Sequence, residues 1–267
     1  MVSLTNLGVV FGAGLLTALA TGLGVAPFFV TDEIGDRTTV ALWGLAAGIM
    51  FAASTFGLVL EGLRAGTALQ VGIGVVGGAL LIIASDRILS NHEFEPREFA
   101  AADYRKMVLI VGALTVHSFP EGVAIGVAFA DLGVDVGGAT AAAGIPALAV
   151  FMTLAISIQN VPEGLAIAIP LRTYGVGKWR AVWWAVFSSL PQPIAAVIAY
   201  YFVVVARRIL PYGFGFAAGA MVFLIVHDLI PEGLDQGRDL PGGGQRELVA
   251  GLALGVGTMV AMLVVLG

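Results

Sequence analysis

Residues 107–130 read MVLIVGALTVHSFPEGVAIGVAFA, a run whose only charged side chain is Glu121. An α-helix needs roughly 20 such residues to cross about 30 Å of hydrocarbon at 1.5 Å per residue. A barrel strand would alternate polar and apolar positions, and this run does not. It reads as a membrane-spanning helix with a histidine, a proline and an acid inside it. Working outward, uncharged apolar stretches cover 1–31, 38–60, 65–85, 136–162, 181–206, 209–227 and 248–267. Together they predict eight helices, near 4–30, 38–60, 65–89, 106–130, 138–170, 180–205, 209–233 and 247–266, with a polar loop over 90–105.

The composition agrees. Of 267 residues, 58% are hydrophobic and 12% charged, against about 25% charged in a soluble domain. A soluble globular protein is thereby excluded, and the expected fold class is an all-α integral membrane bundle forming one domain over 1–267. The absence of cysteine excludes disulfide frameworks, thiolate metal sites and thiol nucleophiles. With a net charge of -5 and no dense basic stretch, nucleic acid is not an expected partner; the lipid bilayer is. Ten of the 13 Lys and Arg fall in the odd-numbered loops. The positive-inside rule then places those loops in the cytoplasm and both termini outside. The first stretch lacks a basic leader and contains Pro27, so it is expected to be a retained helix.

Ionisable residues in the middle of a membrane helix are costly, by about 2.5–3.5 kcal/mol on insertion scales, and usually face a partner or a cavity. Two acids stand out, Glu121 in His117-Ser-Phe-Pro-Glu-Gly122 and Glu163 in Gln159-Asn-Val-Pro-Glu-Gly164. Aligning 117–128 with 159–170 gives five identities in twelve positions at an offset of 42. Successive helices cross in opposite directions, so the repeat is of the inverted kind that places transporter sites near the midplane. A spacing of four puts His117 over Glu121 and Gln159 over Glu163, one two-ligand clamp per helix. Pro120 and Pro162 free the carbonyls of Val116 and Ile158, and Gly122 and Gly164 permit either close helix approach or entry of a hydrated ion. Two carboxylates balance one divalent cation. One imidazole nitrogen with several oxygens, open to Ser118, Asn160 or water, is a harder set than a structural zinc site. Zinc is the expected cargo, with iron, manganese or cadmium tolerated. A single Pro-Glu-Gly could mark only a kink with a protonated acid; the matched pair favours a metal site.

These residues resemble the ZIP (Zrt/Irt-like) family of divalent metal transporters, in particular its prokaryotic GufA-like branch. The likeness covers nearly the whole chain: eight helices, both ends outside, a polar loop between helices three and four, and paired Pro-Glu-Gly motifs on helices four and five. It implies metal uptake into the cytoplasm across the cell membrane, a 3+2+3 arrangement with inverted repeats, homodimers, and elevator-like movement of a domain carrying helices four and five. It implies neither enzymatic activity nor any cofactor beyond the transported metal. By position, the metal ligands would be His117, Glu121, Gln159 and Glu163, with Ser118 and Asn160 beside them. Gln159 stands where many members have histidine, which weakens the preference for zinc. In Ser188-Ser-Leu-Pro-Gln-Pro193, Gln192 takes the place of a family glutamate that helps bind a second metal, so a mononuclear site is expected. Met50 resembles a methionine near the family's entrance. In His227-Asp-Leu-Ile-Pro-Glu-Gly233, Asp228 and Glu232 with His227 would form an exit station, and Asp86 and His92 would receive metal with them.

Rival readings fare worse. A membrane-embedded metal hydrolase finds no HExxH, and a nucleotide-driven pump finds no GxxxxGK[ST]. A passive metal channel would use the same ligands, and sequence does not separate it from a carrier.

Overall fold

The computed structural model describes residues 3–91, 101–132 and 144–266. Among them every regular element is helical, as lipid requires where no water can satisfy backbone N–H and C=O groups. We label the helical rods α1 (Leu4–Phe29), α2 (Asp36–Ala65), α3 (Ala68–Asn91), α4 (Ala101–Ala128), α5 (Ala147–Thr173), α6 (Lys178–Val205), α7 (Arg207–Gln236) and α8 (Gln245–Leu266). Seven of them, all but α4, hold apolar stretches long enough to cross a membrane, by length and composition among the described residues.

The boundaries depart from the expected ones where charged residues can stand on a helix outside the hydrocarbon. Helix α3 continues to Asn91 and α4 begins at Ala101, taking both flanks of the expected 90–105 loop. His92 lies outside the described residues. Helix α5 starts at Ala147, directly after Pro146, whose extended backbone (φ -60°, ψ 141°) stands outside the helix.

Several rods are locally irregular. Helix α1 tightens into a 3₁₀ turn over Gly22–Phe29 around Pro27. Helices α2 and α7 widen into π turns at Ala53–Val59 and Ile225–Leu229. In α7 the cause is Pro231, which has no N–H to donate to the preceding turn. Helix α6 breaks at Ser189 and Leu190, ahead of Pro191.

The rods associate through glycines spaced four apart. A methyl added at Gly44 or Gly48 of α2 would overlap the backbone of Leu248 and Leu252, and at Gly251 or Gly255 of α8 that of Ala41 and Leu45. The same reciprocal seating joins Gly74 and Gly78 of α3 to Gly215 and Gly219 of α7. Lipid tails give no hydrophobic reason for helices to associate, so close backbone contact through small residues replaces it. Residue numbers rise together across α2:α8, α3:α7, α4:α6 and α1:α5, so each pair is parallel. Gly14 against Pro193 and Gly22 against Val186 show α1 and α6 to be antiparallel. It follows that α4 and α5 run in opposite directions.

Ion pairs sort the loops by end. Asp32 of the first loop faces Arg172 and Lys178 of the fifth, and Arg37 faces Glu247 of the seventh. At the other end Arg207 pairs with Asp131, and Gly66 packs on Pro211. Large apolar side chains such as Leu69, Trp179, Trp183 and Val264 are exposed on the outside of the bundle, as on a surface solvated by lipid. Helices α3 and α8 are peripheral, with 22% of their most apolar stretches buried against 61% for α2, α5 and α7.

Candidate metal site

Both Pro-Glu-Gly motifs lie where α4 and α5 face one another. Glu121, Gln159, Asn160 and Gln192 are 0% exposed, Ser118 2% and Glu163 6%. The glycines decide how this burial arises. Gly122 abuts the Gln192 carbonyl and Ala195 of α6, and Gly164 abuts the Thr21 carbonyl of α1. They serve helix approach rather than ion entry, and each holds its glutamate's helix against a neighbour.

Four rods meet in one polar knot. Gln159 Nε2 donates to Glu121 Oε1 at 2.6 Å, and Gln192 Nε2 donates to Glu121 Oε2. Gln192 Oε1 accepts from Thr17 Oγ1 at 2.6 Å and from Asn160 Nδ2 at 3.1 Å. Asn160 Nδ2 also donates to the Thr17 carbonyl at 2.7 Å. Gln159 stands one turn before Glu163 on α5, so its bond brings the Glu121 carboxyl to the face of α5 that carries Glu163. Two acids buried on facing turns call for a proton or a cation to balance them. Gln159 Oε1 and Asn160 Oδ1 are buried and have no hydrogen-bond partner among the described residues. An orphaned amide oxygen inside a membrane protein costs about 1–3 kcal/mol, and a hard cation is a ligand that would relieve it.

His117 also reaches a third helix. Its Nε2 lies 3.3 Å from Asp228 Oδ2 on α7, while His227 Nδ1 lies 2.9 Å from Asp228 Oδ1. The His227 ring is itself stacked on Phe223, with centroids 5.0 Å apart. The carboxylate in the π turn is thus approached by two imidazoles, and His117 links the motif of α4 to α7. Among the described residues, no three His, Asp or Glu side chains converge at metal-binding spacing.

A cavity of about 540 Å³ connects these groups to the end of the bundle that carries the first and seventh loops. His117, Glu163 and Met50 line its inner part, then His227, Asp228 and Glu232, then Thr39, Asp235 and Gln236 nearer the mouth. Glu121, Gln159, Asn160 and Gln192 lie behind its wall. Met50, read as an entrance residue, therefore shares one cavity with the group read as an exit. Asp86 is exposed near the end of α3 and does not line it. The sequence reading missed Thr17, Thr39, Trp43, Asp235 and Gln236. No spacing rule points to Thr17, because its partners lie 143 and 175 positions away.

A multi-pass helical bundle with paired acids buried at mid-helix, reached by an acidic cavity, is the form of a cation transporter. Comparison with known proteins makes the class specific. The model of the ZIP zinc transporter family matches residues 88–263. The chain is 33% identical to the zinc transporter GufA of Myxococcus xanthus over 259 residues, 91% of this chain and 95% of that protein. It is 36% identical to the zinc transporter ZIPB of Bordetella bronchiseptica over 225 residues, 80% of this chain and 69% of that one. A relative in Arabidopsis thaliana is 38% identical over 220 residues, 82% of this chain, and the match spans only 33% of that longer protein. The chain belongs to the ZIP family, with GufA among its relatives, and so to transporters rather than enzymes.

Proposed function

We propose that this chain carries zinc into the cytoplasm by alternating access, binding one ion between Glu121 and Glu163 with the amide oxygens of Gln159 and Asn160, and with His117 and Ser118 beside it. The observation that carries the reading is the convergence of two buried carboxyls from matched motifs with two partnerless amide oxygens. That donor set is hard and holds at most one imidazole, so cadmium, iron and manganese should be carried as well. Release is served by the wider cavity, where His227, Asp228 and Glu232 take the ion on its way out, with Met50 at the inner end. Asp86 and His92 would meet it beyond the mouth.

The direction rests on charge. The cavity opens at the end shared by the first, fifth and seventh loops, which hold six of the basic residues against three in the even-numbered loops, and that end is the cytoplasmic one by the positive-inside rule. Both termini then face outside, in the cell membrane. The knot behind Glu163 closes the other end, which favours a carrier over an open pore. Pairing supports an eight-span, 3+2+3 inverted repeat: exchanging α1 with α6, α2 with α7, α3 with α8 and α4 with α5 maps α1:α5 onto α6:α4 and α2:α8 onto α7:α3. The knot ties α1, α4, α5 and α6 together, and these would move as a unit against α2, α3, α7 and α8 in a dimer. Zinc flux into proteoliposomes containing a metal-sensitive dye tests this. Saturable flux in the wild type, lost in Glu121→Ala and Glu163→Ala, is expected; wild-type flux in either variant would remove the site.

A further inference from the structure

The knot contains a residue that touches no proposed ligand atom on a side chain and yet controls how one ligand is held. Gln192 is 0% exposed and faces Glu121 on one side and α1 on the other. A carboxylate only accepts hydrogen bonds, so Gln192 must turn its N–H₂ toward Glu121 and its oxygen toward α1. There Thr17 Oγ1 stands 2.6 Å from that oxygen. The hydroxyl has a single proton, shared between Gln192 Oε1 at 2.6 Å and the Gly14 carbonyl at 2.8 Å one turn back on its own helix, with the shorter contact to Gln192. The Thr17 carbonyl meanwhile receives Asn160 Nδ2 at 2.7 Å. One residue of α1 therefore grips the amides from α5 and α6 together, the first with its main chain and the second with its side chain.

We propose that Thr17 is a positioning residue for the transported metal: by holding the Gln192 oxygen, it locks the amide with its N–H₂ against Glu121 and so aims the Glu121 carboxylate at Glu163. This rests on the reading of Glu121 as a ligand. Without the hydroxyl, Gln192 Oε1 keeps only the 3.1 Å bond from Asn160. The amide can then turn over, and Glu121 is left with the single donor from Gln159.

The test is zinc uptake into proteoliposomes by Thr17→Val, which keeps the branched shape and removes the hydroxyl. The zinc KM should rise roughly 3- to 10-fold, the equivalent of one net hydrogen bond, with Vmax less affected. Thr17→Ser should restore the wild-type KM, which a loss of packing alone would not allow. On a Gln192→Met background, Thr17→Val should add nothing, because it acts through Gln192. A wild-type KM in Thr17→Val, or an undiminished increase on the Gln192→Met background, overturns the proposal. If Thr17→Val does not fold, Thr17→Ala against Thr17→Ser gives the same contrast. Glu121→Ala, measured in parallel, separates the two readings: its loss of uptake with a silent Thr17→Val refutes only the role of Thr17, whereas wild-type uptake by Glu121→Ala refutes the metal site itself.

Discussion

The two Pro-Glu-Gly motifs share five of twelve positions and occupy opposite situations. Glu121 is sealed, with each carboxyl oxygen receiving an amide N–H. Glu163 borders the cavity. The difference comes from what each motif packs against. Around Glu121, α6 contributes Gln192 at the break before Pro191. Beside Glu163 the cavity opens toward α7, where Asp228 faces His117. A repeat that is symmetric in sequence can thus be asymmetric in any one conformation, and alternating access needs that asymmetry.

The largest expected effect removes the distinction altogether. Glu163→Gln should reduce zinc flux to background while leaving a folded, monodisperse protein, since it removes half of the charge that balances a dication. Wild-type flux in this variant would leave Glu121 as the only acid that matters. Next comes the glycine behind each glutamate. Gly164→Ala drives a methyl into the Thr21 carbonyl, and Gly122→Ala one into the Gln192 carbonyl. Each should lower stability by about 1–3 kcal/mol, read as a fall in melting temperature in detergent. An unchanged melting temperature would mean that these helices are not in close contact.

Accessibility should divide the motifs next. The chain has no cysteine, so single cysteines can be placed on a clean background. Ala166→Cys, on the cavity wall, should react with a water-soluble maleimide from the side of the first and seventh loops. Ala195→Cys, buried against Gly122, should react at least tenfold more slowly. Equal rates would contradict a sealed Glu121. Acidification should then weaken uptake, because the glutamates and His117 bind metal only when deprotonated. In sign, the zinc KM rises as pH falls; a KM constant from pH 7.5 to 5.5 would argue against carboxylate and imidazole ligands. The smallest effect belongs to the far end, where Arg207 joins α7 to Asp131 after α4. The pair is exposed and worth about 0.2–1 kcal/mol, so Arg207→Ala should alter Ala166→Cys labelling by no more than a few-fold. A charge swap at Arg207 and Asp131 should restore it.

The sequence by itself determined the helical class and singled out the two acids of the proposed site. The reason is energetic: lipid offers the backbone no alternative to the helix, and it makes every buried charge conspicuous. Which backbones Gly44, Gly48, Gly74, Gly78, Gly122 and Gly126 meet is set by the tertiary structure. Tertiary structure alone decided that His117 turns to Asp228, that Gln192 presents its nitrogen to Glu121, and that Thr17 holds it there. Each of those choices depends on which side chains meet across helices far apart in the chain, and helical periodicity describes only one face of one helix at a time.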